Sequence, residues 1–127
     1  MNTAVIGLGS NIDPKENILK AKEALAKAYI VVAQSAFRQT NPVGYLPQAS
    51  YINGAVLIQT SLKQEELKAS LKKIERQLGR RKDFSKYGPR SIDLDILIWN
   101  NRIVDRDFYT REFIRESVLE LIPDLEY

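Results

Sequence analysis

Apolar positions along this chain change their period several times, and each change marks an element. Thr3-Ala4-Val5-Ile6-Gly7-Leu8-Gly9 reads as a short buried strand, and Gly9-Ser10-Asn11 turns the chain. Asp13-Pro14 opens a helix, with Asp13 as N-cap and Pro14 at the first helical position. Ile18, Ala21, Leu25 and Ala28 then fall on one helical face, which predicts a helix of about 15 residues. Glu16/Lys20 and Glu23/Lys27 are i,i+4 pairs on its wet side. Tyr29-Ile30-Val31-Val32 starts a second strand, carried to about Arg38. Gln39 to Ser50 is rich in Pro, Gly, Asn and Gln and predicts a loop, long for so small a chain.

Tyr51 to Thr60 reads as a third strand, with Gly54 marking a bulge or a close backbone approach. Ser61-Leu62-Lys63-Gln64 has the form of a capping box. Leu67, Leu71, Ile74 and Leu78 follow as an amphipathic stripe, and Gly79 suits the position just past the helix end. Arg80 to Lys86 is a charged loop. Gly88-Pro89 then leads into an apolar run in which Ile92, Leu94, Ile96 and Ile98 are expected to point one way and Asp93 and Asp95 the other. Asn100-Asn101 is a turn signal, Arg102-Ile103-Val104 a brief strand, and Ile114, Val118 and Leu121 a last short helix stopped by Pro123. The order predicts an α+β, ferredoxin-like β-α-β-β-α-β sandwich: a mainly antiparallel sheet with helices on one face, plus a short C-terminal helix. Residues 1–127 are expected to form a single domain.

Composition narrows the chemistry. The 44% hydrophobic content supports a packed core. The absence of Cys excludes a disulfide framework, and the absence of His excludes imidazole catalysis and imidazole zinc sites. Carboxylates, Lys, Arg, Tyr, hydroxyls, backbone groups or bound metal must carry whatever chemistry there is. A net charge of +3 is too mild to demand a polyanion but suits a phosphorylated small molecule. No apolar run approaches a membrane span and no leader pattern opens the chain, so a cytoplasmic setting is the expectation. Against that background, Asp93 and Asp95 stand out. They sit roughly 6.6 Å apart along a strand, repel each other and resist burial. A divalent cation is the natural candidate for compensation, and Asp oxygens on a strand with a nearby Arg suit Mg²⁺ and a nucleotide; an edge strand with one solvated face is the plainer reading of a D-x-D by itself.

The residues that carry this pattern resemble a known family. Gly88-Pro89-Arg90-Ser91-Ile92-Asp93-Leu94-Asp95-Ile96-Leu97-Ile98 is similar to the signature of 6-hydroxymethyl-7,8-dihydropterin pyrophosphokinases. Gly7-Leu8-Gly9-Ser10-Asn11, Thr40-Asn41-Pro42-Val43-Gly44, Tyr51-Ile52-Asn53-Gly54-Ala55 and Ile74-Glu75-Arg76-Gln77-Leu78-Gly79-Arg80 match further segments in order. The resemblance implies a ferredoxin-like fold and transfer of diphosphate from ATP to a reduced pterin, giving AMP and the pterin diphosphate. It implies ATP as co-substrate and two Mg²⁺ ions held by Asp93 and Asp95. Catalytic roles would fall to Arg80, Arg90, Asp93 and Asp95. Glu75, Arg80, Lys82, Arg90, Ile96 and Arg111 would line the nucleotide. Thr40, Pro42, Val43, Gly44, Tyr51, Asn53, Tyr87 and Phe113 would hold the pterin, with Tyr51 and Phe113 against the ring and Asn53 at its amide edge. The implied partners are small molecules, not nucleic acid or membrane, and the expected state is a monomer or weak dimer.

The chain departs from the family pattern in places, as a divergent and C-terminally short member would. A P-H-P-like segment is missing, Lys82 stands where Arg is frequent, and Tyr87 where Trp is common. Local readings also stand beside the implied roles. Glu75 borders the Leu71/Leu78 stripe and reads as a partly solvated helix residue. Arg80-Arg81-Lys82 reads as a solvated charge run. Tyr51 and Phe113 read as core aromatics, and Asn53 needs polar partners in an apolar strand. A non-catalytic or altered-specificity paralogue that binds a pterin or nucleotide, and a ferredoxin-like RNA-binding module, are the alternative functional readings.

Overall fold

The computed structural model describes residues 1–40, 50–79 and 91–127. In chain order they form β1 (Asn2–Ser10), α1 (Pro14–Ala28), β2 (Ile30–Gln34), β3 (Arg38–Thr40), β4 (Tyr51–Thr60), α2 (Gln64–Gln77), β5 (Asp93–Trp99), β6 (Arg102–Ile103), α3 (Asp107–Thr110) and α4 (Glu112–Leu121). The described strands make one six-stranded antiparallel sheet in the order β2-β4-β1-β5-β6, with β3 also paired to β4. The α+β architecture expected from the sequence is borne out.

The sheet carries an apolar core on each face. On one face Ala4, Ile6, Leu8, Val56, Ile58 and Leu94 pack against Ile18, Ala21 and Leu25 of α1 and Leu67, Leu71 and Ile74 of α2. On the other, Val5, Ala55, Leu97 and Ile98 pack against Phe108 of α3, Val118 of α4 and Leu125. The two long helices thus share one face as expected, and the C-terminal helices cover part of the opposite face. Removing these side chains from water is the main stabilising term for both layers.

Local chemistry departs from the sequence reading at four points. Asp13 does precede α1, but at φ 40 and ψ 54 it is left-handed and makes no side-chain cap. Asp tolerates that region, and the following Pro14 already lacks the N–H that a cap would serve. The α2 cap lies two residues beyond Ser61, at Lys63, whose backbone N–H donates to Glu66 Oε1 at 2.8 Å. The expected continuous second strand divides into β2 and β3, because Ser35 leaves the regular ladder. Its N–H donates to Ala55 O at 2.9 Å and its Oγ accepts the Ala55 N–H at 2.8 Å.

The fourth departure bears on the site. In β5, Ile96 opposes Ile6 and Ile98 opposes Val5, so Leu97 is an extra residue and the strand bulges there. Ile98 therefore turns to the second core instead of continuing on the Leu94 face. Leu97 folds over Gly7, within 3.0 Å of where a Cβ would stand. Gly79 ends α2 at φ 87 as expected. Gly54 is a close approach: a Cβ there would lie 2.5 Å from the Phe37 ring.

Candidate active site

The face covered by α3 and α4 is closed by apolar side chains along only part of its length. Cross-strand partners share a face, so register alone lays out the remainder. Val5, Leu57 and Ile98 form a row inside the second core. Gly7, Ala55 and Asp95 form the next row, and Gly9, Asn53 and Asp93 the one after it. Arg38 joins the last row through β3, and Thr40 pairs with Tyr51 at the end of β4. The bulge at Leu97 makes the apolar rows end where the acidic rows begin.

Asp93 is half-buried and Asp95 exposed, so neither acid is forced into the apolar interior. Both project over β1 where it has only glycine to offer. Gly9 leaves room for the carboxamide of Asn53, whose Oδ1 would stand 2.6 Å from a Cβ at that position. The other end of the amide, Nδ2, donates to the Thr40 hydroxyl. The Tyr51 ring lies beside Gly9 on the same face, with Cδ2 3.6 Å from that Cβ position. Thr40, Tyr51, Asn53, Asp93 and Asp95 are thus brought together on one face, as the sequence predicted for Asp93 and Asp95.

Phe113 is half-buried in the first turn of α4 and belongs to neither described apolar cluster. It stands on the covered side of the sheet, the side that carries Tyr51. Arg111 sits at the bend between α3 and α4, its Nη1 3.3 Å from Asp107 Oδ2. Arg115 holds that bend by donating to the carbonyl oxygens of Phe108 and Tyr109 at 3.3 and 3.4 Å. Ile96 is turned the other way and packs partly buried against the α1/α2 core. Glu75 is not the partly solvated residue its stripe position suggests. It is 3% exposed, and its Oε2 accepts the Leu94 N–H at 2.7 Å. Pro42, Val43, Gly44, Arg80, Lys82, Tyr87 and Arg90 lie outside the described residues.

Sequence reasoning missed three residues near this surface. Ser91, two before Asp93, has a buried Oγ with no hydrogen-bond partner. Arg38 lies in the Asn53 row and pairs with Glu120 of α4 at 3.2 Å, while Glu120 also accepts the Ala36 N–H at 2.9 Å. No local signal links positions 38 and 120. The donor chemistry fits Mg²⁺, which binds through one or two carboxylates plus substrate phosphates; Asp93 and Asp95, on one face of β5, would supply that pair.

Asp105 lies just before α3, and burial pushes its carboxyl above the ordinary 3.8; the Asp107 N–H opposes the rise. An acid with a raised folded value is favoured in its protonated form. Its stabilising contribution is full below 3.8 and is lost as pH climbs through the folded value. Asp105→Asn keeps an oxygen for the Asp107 N–H, which now donates to Asp105 Oδ1 at 2.8 Å. The variant should match the wild type at acid pH and melt higher at neutral pH. Thermal melts across that range check this, and parallel curves would refute it.

Comparison with known proteins fits this surface. The family model described as 7,8-dihydro-6-hydroxymethylpterin-pyrophosphokinase matches residues 5–123. A 2-amino-4-hydroxy-6-hydroxymethyldihydropteridine pyrophosphokinase of Bacillus subtilis is 37% identical, over 98% of this chain and 81% of that protein. Proteins of the same name from Haemophilus influenzae and Aquifex aeolicus are 34% and 36% identical, over 98% of this chain and 84% and 83% of their own lengths. With nearly the whole chain matched, and most of each relative, the protein belongs to the 7,8-dihydro-6-hydroxymethylpterin-pyrophosphokinase family.

Proposed function

We propose that this chain performs its family's reaction on the sheet face that carries Tyr51, Asn53, Asp93 and Asp95. The reaction transfers diphosphate from ATP to the 6-hydroxymethyl group of 6-hydroxymethyl-7,8-dihydropterin, giving AMP and the pterin diphosphate in folate biosynthesis. The observation that carries the site assignment is the row Asn53–Gly9–Asp93. Adjacent strands lie about 4.8 Å apart, so Asn53 and Asp93 stand roughly 9.6 Å apart across β1. A bicyclic pterin read at its amide edge by Asn53 would bring its hydroxymethyl arm to the acids.

Asp93 and Asp95 would hold two Mg²⁺ ions together with the ATP phosphates. Mg²⁺ bound there would neutralise phosphate charge during the transfer. The hydroxymethyl oxygen forms its bond to that phosphorus, the bond between the α,β-bridging oxygen and the β-phosphorus breaks, AMP leaves, and the hydroxyl proton is released. Tyr51 and Phe113 hold the ring, and Asn53, oriented by Thr40, reads its polar edge. Arg90 and Arg80 meet the transferring charge, and Arg111 and Lys82 line the nucleotide with Pro42, Val43, Gly44 and Tyr87 completing the pterin pocket.

Ile96 lies on the α2 side of β5 while the acids lie on the other, so a nucleotide touching both would cross the β5 edge. Two acids on the open face disfavour a polyanionic partner, and no helix of the described residues is long and apolar enough to cross a membrane. Free ATP as donor favours the cytoplasm. Both cores share one sheet, which supports residues 1–127 acting as one domain. The test is product analysis with ATP, Mg²⁺ and 6-hydroxymethyl-7,8-dihydropterin. AMP should form in step with pterin diphosphate and only when pterin is present. Release of ADP, or AMP formation without pterin, would overturn the assignment.

A further inference from the structure

β5 is held unequally along its two edges. Its inner edge pairs with β1 from Asp93 to Trp99, whereas β6 pairs with it only at Ile98 and Trp99. Peptide N–H groups in an antiparallel strand point alternately to the two sides. The Leu94 N–H points outward, where no described strand receives it. A buried N–H left unpaired is destabilising, so an acceptor is required.

Glu75 is that acceptor: its Oε2 receives the Leu94 N–H at 2.7 Å. Its location explains what the bond achieves. Leu67, Leu71 and Ile74 anchor α2 in the core, so Glu75 is fixed to a rigid support. Leu94 is the residue between the two acids, and its own side chain is 4% exposed in that same core. The peptide from which Asp93 and Asp95 project is therefore pinned twice, by the Leu94 side chain and by its N–H.

We infer that Glu75 is a positioning residue for the acid pair. Its bond to the Leu94 N–H sets the pitch of β5, and with it the directions in which the two carboxylates leave the strand. This rests on the reading that Asp93 and Asp95 hold Mg²⁺. Mg²⁺ requires near-octahedral geometry with bonds of about 2.0–2.1 Å, so a small change of pitch separates a good ligand pair from a poor one. The pterin residues Tyr51 and Asn53 lie on β4, one strand beyond β1, and do not depend on the outer edge of β5.

Three variants distinguish position from charge. Glu75→Gln keeps an acceptor oxygen at the same reach and loses the charge. Glu75→Asp keeps the charge and loses the reach, and Glu75→Met loses both. Leu94 amide exchange is measured in the ligand-free protein, and binding of Mg·ATP and of pterin by calorimetry. In Asp and Met, Leu94 should exchange faster and Mg·ATP should bind more weakly by on the order of 10–100-fold, with pterin affinity unchanged. Glu75→Gln should keep Leu94 exchange, Mg·ATP affinity and pterin affinity at their wild-type values. A Gln variant as weak toward Mg·ATP as Met, with Leu94 still protected, would overturn the inference and assign the carboxylate to direct nucleotide contact. Wild-type Mg·ATP affinity in both Asp and Met would overturn it as well. Failure of the wild type to form AMP would instead refute the functional reading, and the Leu94 exchange contrast would still report on Glu75.

Discussion

Asp95→Ala should lower turnover on the order of 10³-fold and abolish the stabilisation that Mg²⁺ and an ATP analogue give the wild type. Loss of activity follows from the proposed donor set. Asp93 and Asp95 would be the paired metal ligands, and removing one acid breaks that pair. Substituting groups that merely orient a metal ligand costs 10–100-fold, so losing a ligand itself costs more. The melting outcome follows from linkage: Mg²⁺ and an ATP analogue that bind the folded protein raise its melting temperature. Asp95 is exposed, so its truncation leaves no cavity. The ligands should raise the wild-type melting temperature but not that of the variant. An equal rise in both proteins, or normal turnover by Asp95→Ala, would remove the acid from the site.

Much of the frame could be read from the chain because its longest elements have strong periods. Pro14 and the Ile18/Ala21/Leu25 stripe placed a 15-residue α1, and the run from Tyr51 to Thr60 is β4 residue for residue. The shared face of Asp93 and Asp95, and that of Tyr51 and Asn53, followed from alternation alone. Alternation fails where both faces of a strand are buried, since Ile96, Leu97 and Ile98 are all apolar and no polar residue marks the register. That is why the bulge at Leu97 was not visible, although it decides where the acidic rows begin. Glu75 was misread for a different reason. Its position on the border of the α2 stripe is local, while its burial and its bond to Leu94 depend on the packing of α2 against β5, nineteen residues further along. The Arg38–Glu120 pair is a more distant case of the same kind. Tertiary partners of polar side chains leave no period in the sequence.

Gly9→Ala should weaken pterin binding by about 10–100-fold while leaving Mg·ATP binding intact. The added methyl would stand 2.6 Å from Asn53 Oδ1, far inside contact distance. Asn53 cannot simply rotate away, because its Nδ2 is tied to the Thr40 hydroxyl. Either that bond breaks or the amide leaves the face, and in both cases the polar edge of the pterin loses a fixed partner. Such a loss is worth about 1–3 kcal/mol when the ligand group stays buried. Gly7 offers the internal comparison, two residues earlier on the same strand face. A methyl there would meet Leu97 Cδ1 at 3.0 Å, the end of an apolar side chain that can shift, and no polar group of the site. Gly7→Ala should therefore leave pterin affinity near the wild-type value. Calorimetry with pterin and, separately, with Mg·ATP reads the contrast directly. Equal losses for both ligands in Gly9→Ala would mean that the substitution distorts β1 as a whole, and unchanged pterin affinity would remove Asn53 from the pterin pocket.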